Sequence, residues 1–145
     1  MPLPSDEEIE AFKDSVLQRT YCFTNRALIR EALQGSSLFN PGGNKVLALA
    51  SDATLRQILV DQGRDRNKSP IQNAITKVAS NNNLNDQGIT LGLDPFIMKN
   101  PGQWGLVARR NVMATTIEAI IGAVHYDSKM KCNDGERVVA TLGLS

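Results

Sequence analysis

The amino-acid sequence predicts an all-α domain, and three features carry the prediction. Apolar residues return at every third and fourth position across most of the chain, the spacing of one helix face. No segment keeps up the alternation of apolar and polar residues that marks a half-buried strand. Ser, Asn, Gly and Pro stand where such helices begin and end.

The elements follow in order. Ser5 precedes Asp6, Glu7 and Glu8, a cap followed by acids at the positive end of a helix dipole, and Ile9, Phe12, Val16 and Leu17 form its apolar stripe. This helix is expected to run to about Gln18. A second begins near Asn25, carries Leu28, Ile29, Ala32 and Leu33, and stops at Gly35, before a loop over residues 35 to 43. A third starts with Asn44 as N-cap and continues through Val60, apolar nearly all round, which predicts a central buried helix. Residues 61 to 69, DQGRDRNKS, read as a polar linker. Ser69 and Pro70 are the N-cap and first position of a fourth helix, interrupted at Asn81, Asn82 and Asn83. Residues 84 to 91 add a short helix ending at Gly92. Two prolines and two glycines make residues 94 to 105 irregular, or at most a short helical turn. A strongly apolar helix spans about 107 to 127, and a last one spans 136 to 144 after the CNDG turn.

At 145 residues the chain fits one domain with a single core, and 41% hydrophobic against 5% aromatic residues makes that core aliphatic. Sixteen basic and fifteen acidic side chains leave a formal charge of +1, so bulk attraction for a polyanion is excluded and nucleic-acid contact requires local patches. Cys22 and Cys132 make neither a disulfide framework nor a zinc site, and as free thiols they fit a reducing, intracellular compartment. No run approaches the roughly 18 to 20 apolar residues that span a bilayer, so no membrane partner is expected. The acidic start resembles neither a secretory signal nor a transit peptide.

Two side chains stand out. Positions three and four residues from Asp52 hold Ala48, Leu49, Leu55 and Arg56; those around Glu118 hold Ala114, Thr115, Ile121 and Gly122. Each of the two most apolar helices therefore carries one lone carboxylate. An ionised acid in a core costs several kcal/mol unless it is paired, hydrogen-bonded or metal-bound. The available partners are a basic side chain, donors such as Ser51, Thr54 and Thr115, solvent, or a cation shared between the two acids.

Three segments together carry a family likeness. YCFTNRALIREALQGSS, NKVLALASDATL and TTIEAIIGAVHYD, in that order and spacing, resemble the nuclease domain of ribonuclease III over about residues 21 to 127. The second falls on that family's N-E-R-L-E-F-L-G-D-A-V-L signature and the third on D-A-F-E-A-L-I-G-A-I-Y-L-D. The resemblance implies an all-α fold of six to eight helices that dimerises and lays double-stranded RNA across a valley between two active sites. In active members four acids bind Mg²⁺, or Mn²⁺, for phosphodiester hydrolysis.

By the same resemblance Asp52 and Glu118 are the retained catalytic and metal-binding acids. Ala48 and Thr115 occupy the positions of the other two, each one turn before its partner. Lys45 stands for the signature's first glutamate, Val46 for its arginine, Ser51 for its glycine, and Leu49 for the phenylalanine that packs into the dimer partner. Losing two of four ligands implies a loss of several kcal/mol of transition-state stabilisation, on the order of thousands-fold in rate.

Other candidates have two readings each. Arg64, Arg66 and Lys68 form a phosphate-contacting loop or, beside Asp61 and Asp65, a solvated linker. Arg109 and Arg110 contact RNA backbone or pair with an acid. The three asparagines terminate a helix or reach ribose hydroxyls. His125, the sole histidine, has no second ligand nearby in sequence, and Trp104 either stacks on a partner or pins its loop.

The expected function is a ribonuclease III-like module with an eroded site that dimerises, with itself or with another such domain, and binds double-stranded or structured RNA. Residues 1 to 145 would form one domain, without a double-stranded-RNA-binding domain. The alternatives are an active Mg²⁺- or Mn²⁺-dependent endoribonuclease using Asp52 and Glu118, and a helical interaction protein that has lost RNA contact.

Overall fold

Ser5 opens the first helix as expected. The computed structural model describes residues 4 to 35, 42 to 65, 80 to 98, 110 to 128 and 132 to 144, and in it α1 spans Asp6–Ser15, with the Ser5 hydroxyl accepting the Glu8 N–H at 3.2 Å. The helix ends earlier than Gln18. Gln18 and Arg19 take left-handed φ values of 50° and 59°, which lets the Arg19 N–H return to the Lys13 carbonyl at 3.0 Å. Val16 and Leu17 stay fully buried within that turn.

Asn25 caps α2, Arg26–Ala32, by accepting the Ala27 N–H at 3.1 Å. Arg26 pairs with Asp6 and Glu10, and Arg30 with Asp6, across the exposed α1–α2 seam. Solvent-exposed pairs of this kind orient helices more than they stabilise them.

α3 spans Lys45–Asp65, so the predicted linker is helical for its first five residues. Gln57 donates to Asp61 one turn on at 2.9 Å, an i,i+4 contact that supports the extension. Gly63 costs the helix about 1 kcal/mol, which a long packed helix tolerates. Nor is α3 buried all round: Leu47, Leu55, Ile58 and Leu59 face the core, whereas Val46 and Leu49 are 70% and 77% exposed.

The three asparagines begin a helix rather than end one. Ser80 caps α4, Asn81–Thr90, by accepting the Asn83 N–H at 3.2 Å, and the helix closes at Gly92 with φ +69°. The fourth helix expected from Ser69 falls mostly outside the described residues.

A short 3₁₀ turn, Asp94–Phe96, follows. Met98 then donates to the Leu33 carbonyl at 2.7 Å and accepts the Gly35 N–H at 3.0 Å, pinning this segment to the end of α2. Among the described residues that isolated bridge is the sole β contact, and no strand forms.

α5 spans Arg110–Asp127 and α6 spans Cys132–Thr141, the latter starting four residues before expected because CNDG is helical. α5 is the central helix: α2, α3, α4 and α6 all pack on it. Met113, Ile117, Ile120, Ile121 and Val124 are fully buried, an aliphatic core as the composition predicts. Each such side chain contributes about 1.5–3 kcal/mol on burial. Among the described residues no helix is long and apolar enough to cross a membrane.

Candidate functional site

The site begins with a close helix crossing. A Cβ on Gly122 of α5 would lie 2.1 Å from the carbonyl oxygen of Leu47 in α3, so only glycine lets the two backbones meet there. Glu118 is one turn before Gly122, and Ala48 follows Leu47. The crossing therefore sets Glu118 beside the turn that runs from Ala48 to Asp52.

Asn44 locks the same arrangement from the end of α3. Its buried side-chain amide donates to the Ala32 carbonyl at 2.7 Å and to the Thr116 hydroxyl at 2.9 Å. The Thr116 hydroxyl in turn donates to the Val112 carbonyl at 2.8 Å. The Asn44 carbonyl accepts the Ala48 N–H at 3.1 Å, so the residue stands at the cap position while its side chain joins α2, α3 and α5. Ser51, fully buried beside Asp52, is satisfied within its helix by the Ala48 carbonyl at 2.8 Å.

Between the two helices lies a shallow depression of about 360 Å³, lined by Lys45, Ala48, Leu49, Asp52, Thr115 and Glu118. The two carboxylates singled out in the sequence thus converge. So do Ala48 and Thr115, one turn before each.

Asp52 is not in the core. Its side chain is 58% exposed and lies 3.7 Å from Arg56, a surface i,i+4 pair, because the face of α3 that borders the depression opens to solvent. Glu118 is half-buried, and burial first, then the charge of Asp52, raises its pKa from 4.5 to about 7. Glu118 therefore titrates near neutrality.

A hydrolytic Mg²⁺ site needs several oxygen ligands with enough charge in near-octahedral array. Here two carboxylates, one readily protonated, share their depression with the Lys45 side chain. Among the described residues no group of three or more His, Cys, Asp or Glu is placed to hold a metal. Two carboxylates beside a lysine do not fit a two-metal centre.

Arg64, the basic candidate whose side chain is described, does not lie at this place. Arg64 is exposed in the last turn of α3, about 18 Å along the axis from Asp52 at 1.5 Å per residue. Arg110 opens α5, and its side chain is outside the described set, as are Arg66, Lys68, Trp104 and Arg109 altogether. The ring of His125 meets Tyr126 edge to face at 5.6 Å, a packing contact.

Sequence reasoning missed Asp127. Its carboxylate accepts from the Tyr21 hydroxyl at 2.6 Å and from the Thr24 and Asn25 N–H groups at 2.9 and 2.7 Å. It thereby anchors the segment leading into α2 to the end of the central helix. An acid at a helix end is ordinary in sequence, and its partners lie about a hundred residues away.

No protein-family model matches the chain, and no curated protein does. Solved structures do match. The nuclease domain of ribonuclease III from Campylobacter jejuni superposes with a TM-score of 0.78 over 92% of this chain and 92% of that one, at 21% identity. A second structure of that domain, described for flexibility in its region involved in dimer formation, gives a TM-score of 0.77 at 18% identity, over 90% of this chain and 94% of that one. The chain has the fold of the ribonuclease III nuclease domain.

Proposed function

We propose that the chain is a non-catalytic ribonuclease III-like domain, working as a dimerising module that engages double-stranded or structured RNA in RNA processing or a ribonucleoprotein. The observation that carries this reading is the depression itself, where Asp52 and Glu118 are the two carboxylates among six lining residues. Phosphodiester hydrolysis needs preorganised positive charge where negative charge develops. Asp52 lies 3.7 Å from Arg56 at the surface, and burial first, then the charge of Asp52, raises the pKa of the Glu118 carboxyl to about 7.

Dimerisation is supported by Val46 and Leu49, large apolar side chains of α3 left mostly exposed, of which Leu49 lines the depression. RNA contact is inferred from the fold.

Purified protein is incubated with duplex RNA and Mg²⁺ or Mn²⁺, beside Asp52→Ala. Neither is expected to cut. Metal-dependent cutting that disappears in Asp52→Ala overturns the non-catalytic reading and makes Asp52 and Glu118 a residual nuclease centre. Salt-dependent RNA binding without cutting is the expected companion result, and its absence leaves a protein-interaction module. In sedimentation equilibrium the chain is expected at dimer mass, and Leu49→Asp at monomer mass.

A further inference from the structure

We infer that Lys45, in addition to the Arg56 that lies beside Asp52, adds positive charge to the depression and disfavours divalent cations in it. The inference rests on the non-catalytic reading above and says what occupies the electrostatic place of a metal.

Lys45 is the first residue of α3, exposed, and lines the same depression as Asp52 and Glu118. It lies seven residues before Asp52, two helical turns or about 10.5 Å along the axis. Both side chains therefore fall on one face, with Ala48 and Leu49 between them.

Local helix chemistry does not explain a lysine here. The first turn of a helix carries partial positive charge and favours acids, so a cation at that end is mildly unfavourable. α3 has no acid in its first turn. The lysine and the helix end thus add, giving one end of the depression a positive potential opposite the two carboxylates. An ammonium adds positive charge beside a shallow open surface, without the ordered oxygen ligands that Mg²⁺ demands.

A divalent ion between the carboxylates meets this charge directly. At about 8 Å and the dielectric of water, repulsion between a doubly charged ion and an ammonium weakens binding about fivefold at low ionic strength.

The test is Mn²⁺ titration followed by electron paramagnetic resonance, at low salt, on the full chain. Lys45→Met, which removes the charge and adds no ligand, is expected to bind Mn²⁺ about fivefold more tightly than the unsubstituted chain. Lys45→Glu, which makes a three-acid depression, is expected to bind more tightly again and to lose the gain when combined with Asp52→Asn. Position 45 is exposed, and unchanged thermal unfolding confirms that each variant folds. Equal affinity of Lys45→Met and the unsubstituted chain overturns the inference. So does a Lys45→Glu gain that survives Asp52→Asn. The duplex-RNA assay separates the two claims: cutting by the unsubstituted chain overturns both, whereas equal Mn²⁺ affinities without cutting overturn this one alone.

Discussion

Gly122→Ala adds one methyl group at the point where α3 and α5 touch. The new carbon would stand 2.1 Å from the Leu47 carbonyl oxygen and 2.9 Å from its carbon. Comfortable non-bonded contact needs roughly 3.5 Å, so the helices must separate by more than about 1 Å. Overpacking costs about 1–3 kcal/mol, and the upper end applies because the atoms met are backbone and cannot rotate away. Alanine returns up to about 1 kcal/mol through helix propensity. The expected net loss is about 2 kcal/mol, or a fall in Tm of about 7 °C for a chain of this size. Differential scanning calorimetry or urea unfolding measures it, with Gly88→Ala as the comparison. There the added carbon meets the Sδ and Cγ of Met113 at 2.5 and 2.6 Å, ends of a side chain that repacks, and the loss is expected to be smaller. The site supplies a second readout. Helix separation rehydrates Glu118 and draws it from Asp52, so its pKa moves down from about 7. A Gly122→Ala protein as stable as its parent refutes the backbone contact.

Two further outcomes follow from single carboxylates. The folded-state pKa of Glu118 lies above the ordinary value of 4.5 at about 7, so between these the folded state binds the proton that the unfolded state has released. Stability therefore falls as pH rises through this window and levels above it; Glu118→Gln is expected to flatten the slope and to be the more stable protein at pH 8, measured by urea midpoints, and an unchanged slope refutes the assignment. Asp127→Ala removes the acceptor of three hydrogen bonds; a loss of about 2–4 kcal/mol is expected in the same assay, with Asp127→Asn intermediate.

How much could be read in advance depended on the range of the interaction. Helix spacing and caps are local, and Ser5, Asn25 and Gly92 perform as their residue types predict. The boundaries that moved did so for reasons at the next scale. Residues 61 to 65 look like linker by composition, yet they continue a helix already packed along most of its length. Cys132 to Gly135 read as a turn and begin α6 instead. The pairing of Asp52 with Glu118 came from resemblance and not from spacing, and the two do line one depression. Asp52 departs from the expected burial because an apolar helix is not buried on every side, and Leu49 and Asp52 share an outward face, whereas Glu118 is half-buried. Asn44 was recognised as a cap from its position, but no local pattern tells that its amide reaches Thr116, 72 residues on.

The scaffold of the depression is built without charge, so its formation does not depend on the acids it holds. Gly122 against Leu47 is a backbone contact, and Asn44 with Thr116 is a neutral buried hydrogen-bonded pair. Neither needs a metal to form. Ala48 is 7% exposed, so a carboxylate anchored there would be partly desolvated beside Asp52 and Glu118. Three or four acids in such a place repel one another and each pays for lost hydration, a cost that only a bound cation offsets. Burial first, and then the charge of Asp52, already raises the pKa of Glu118. On the non-catalytic reading proposed above, alanine at position 48 and threonine at position 115 spare the domain this repulsion, while the helix crossing remains.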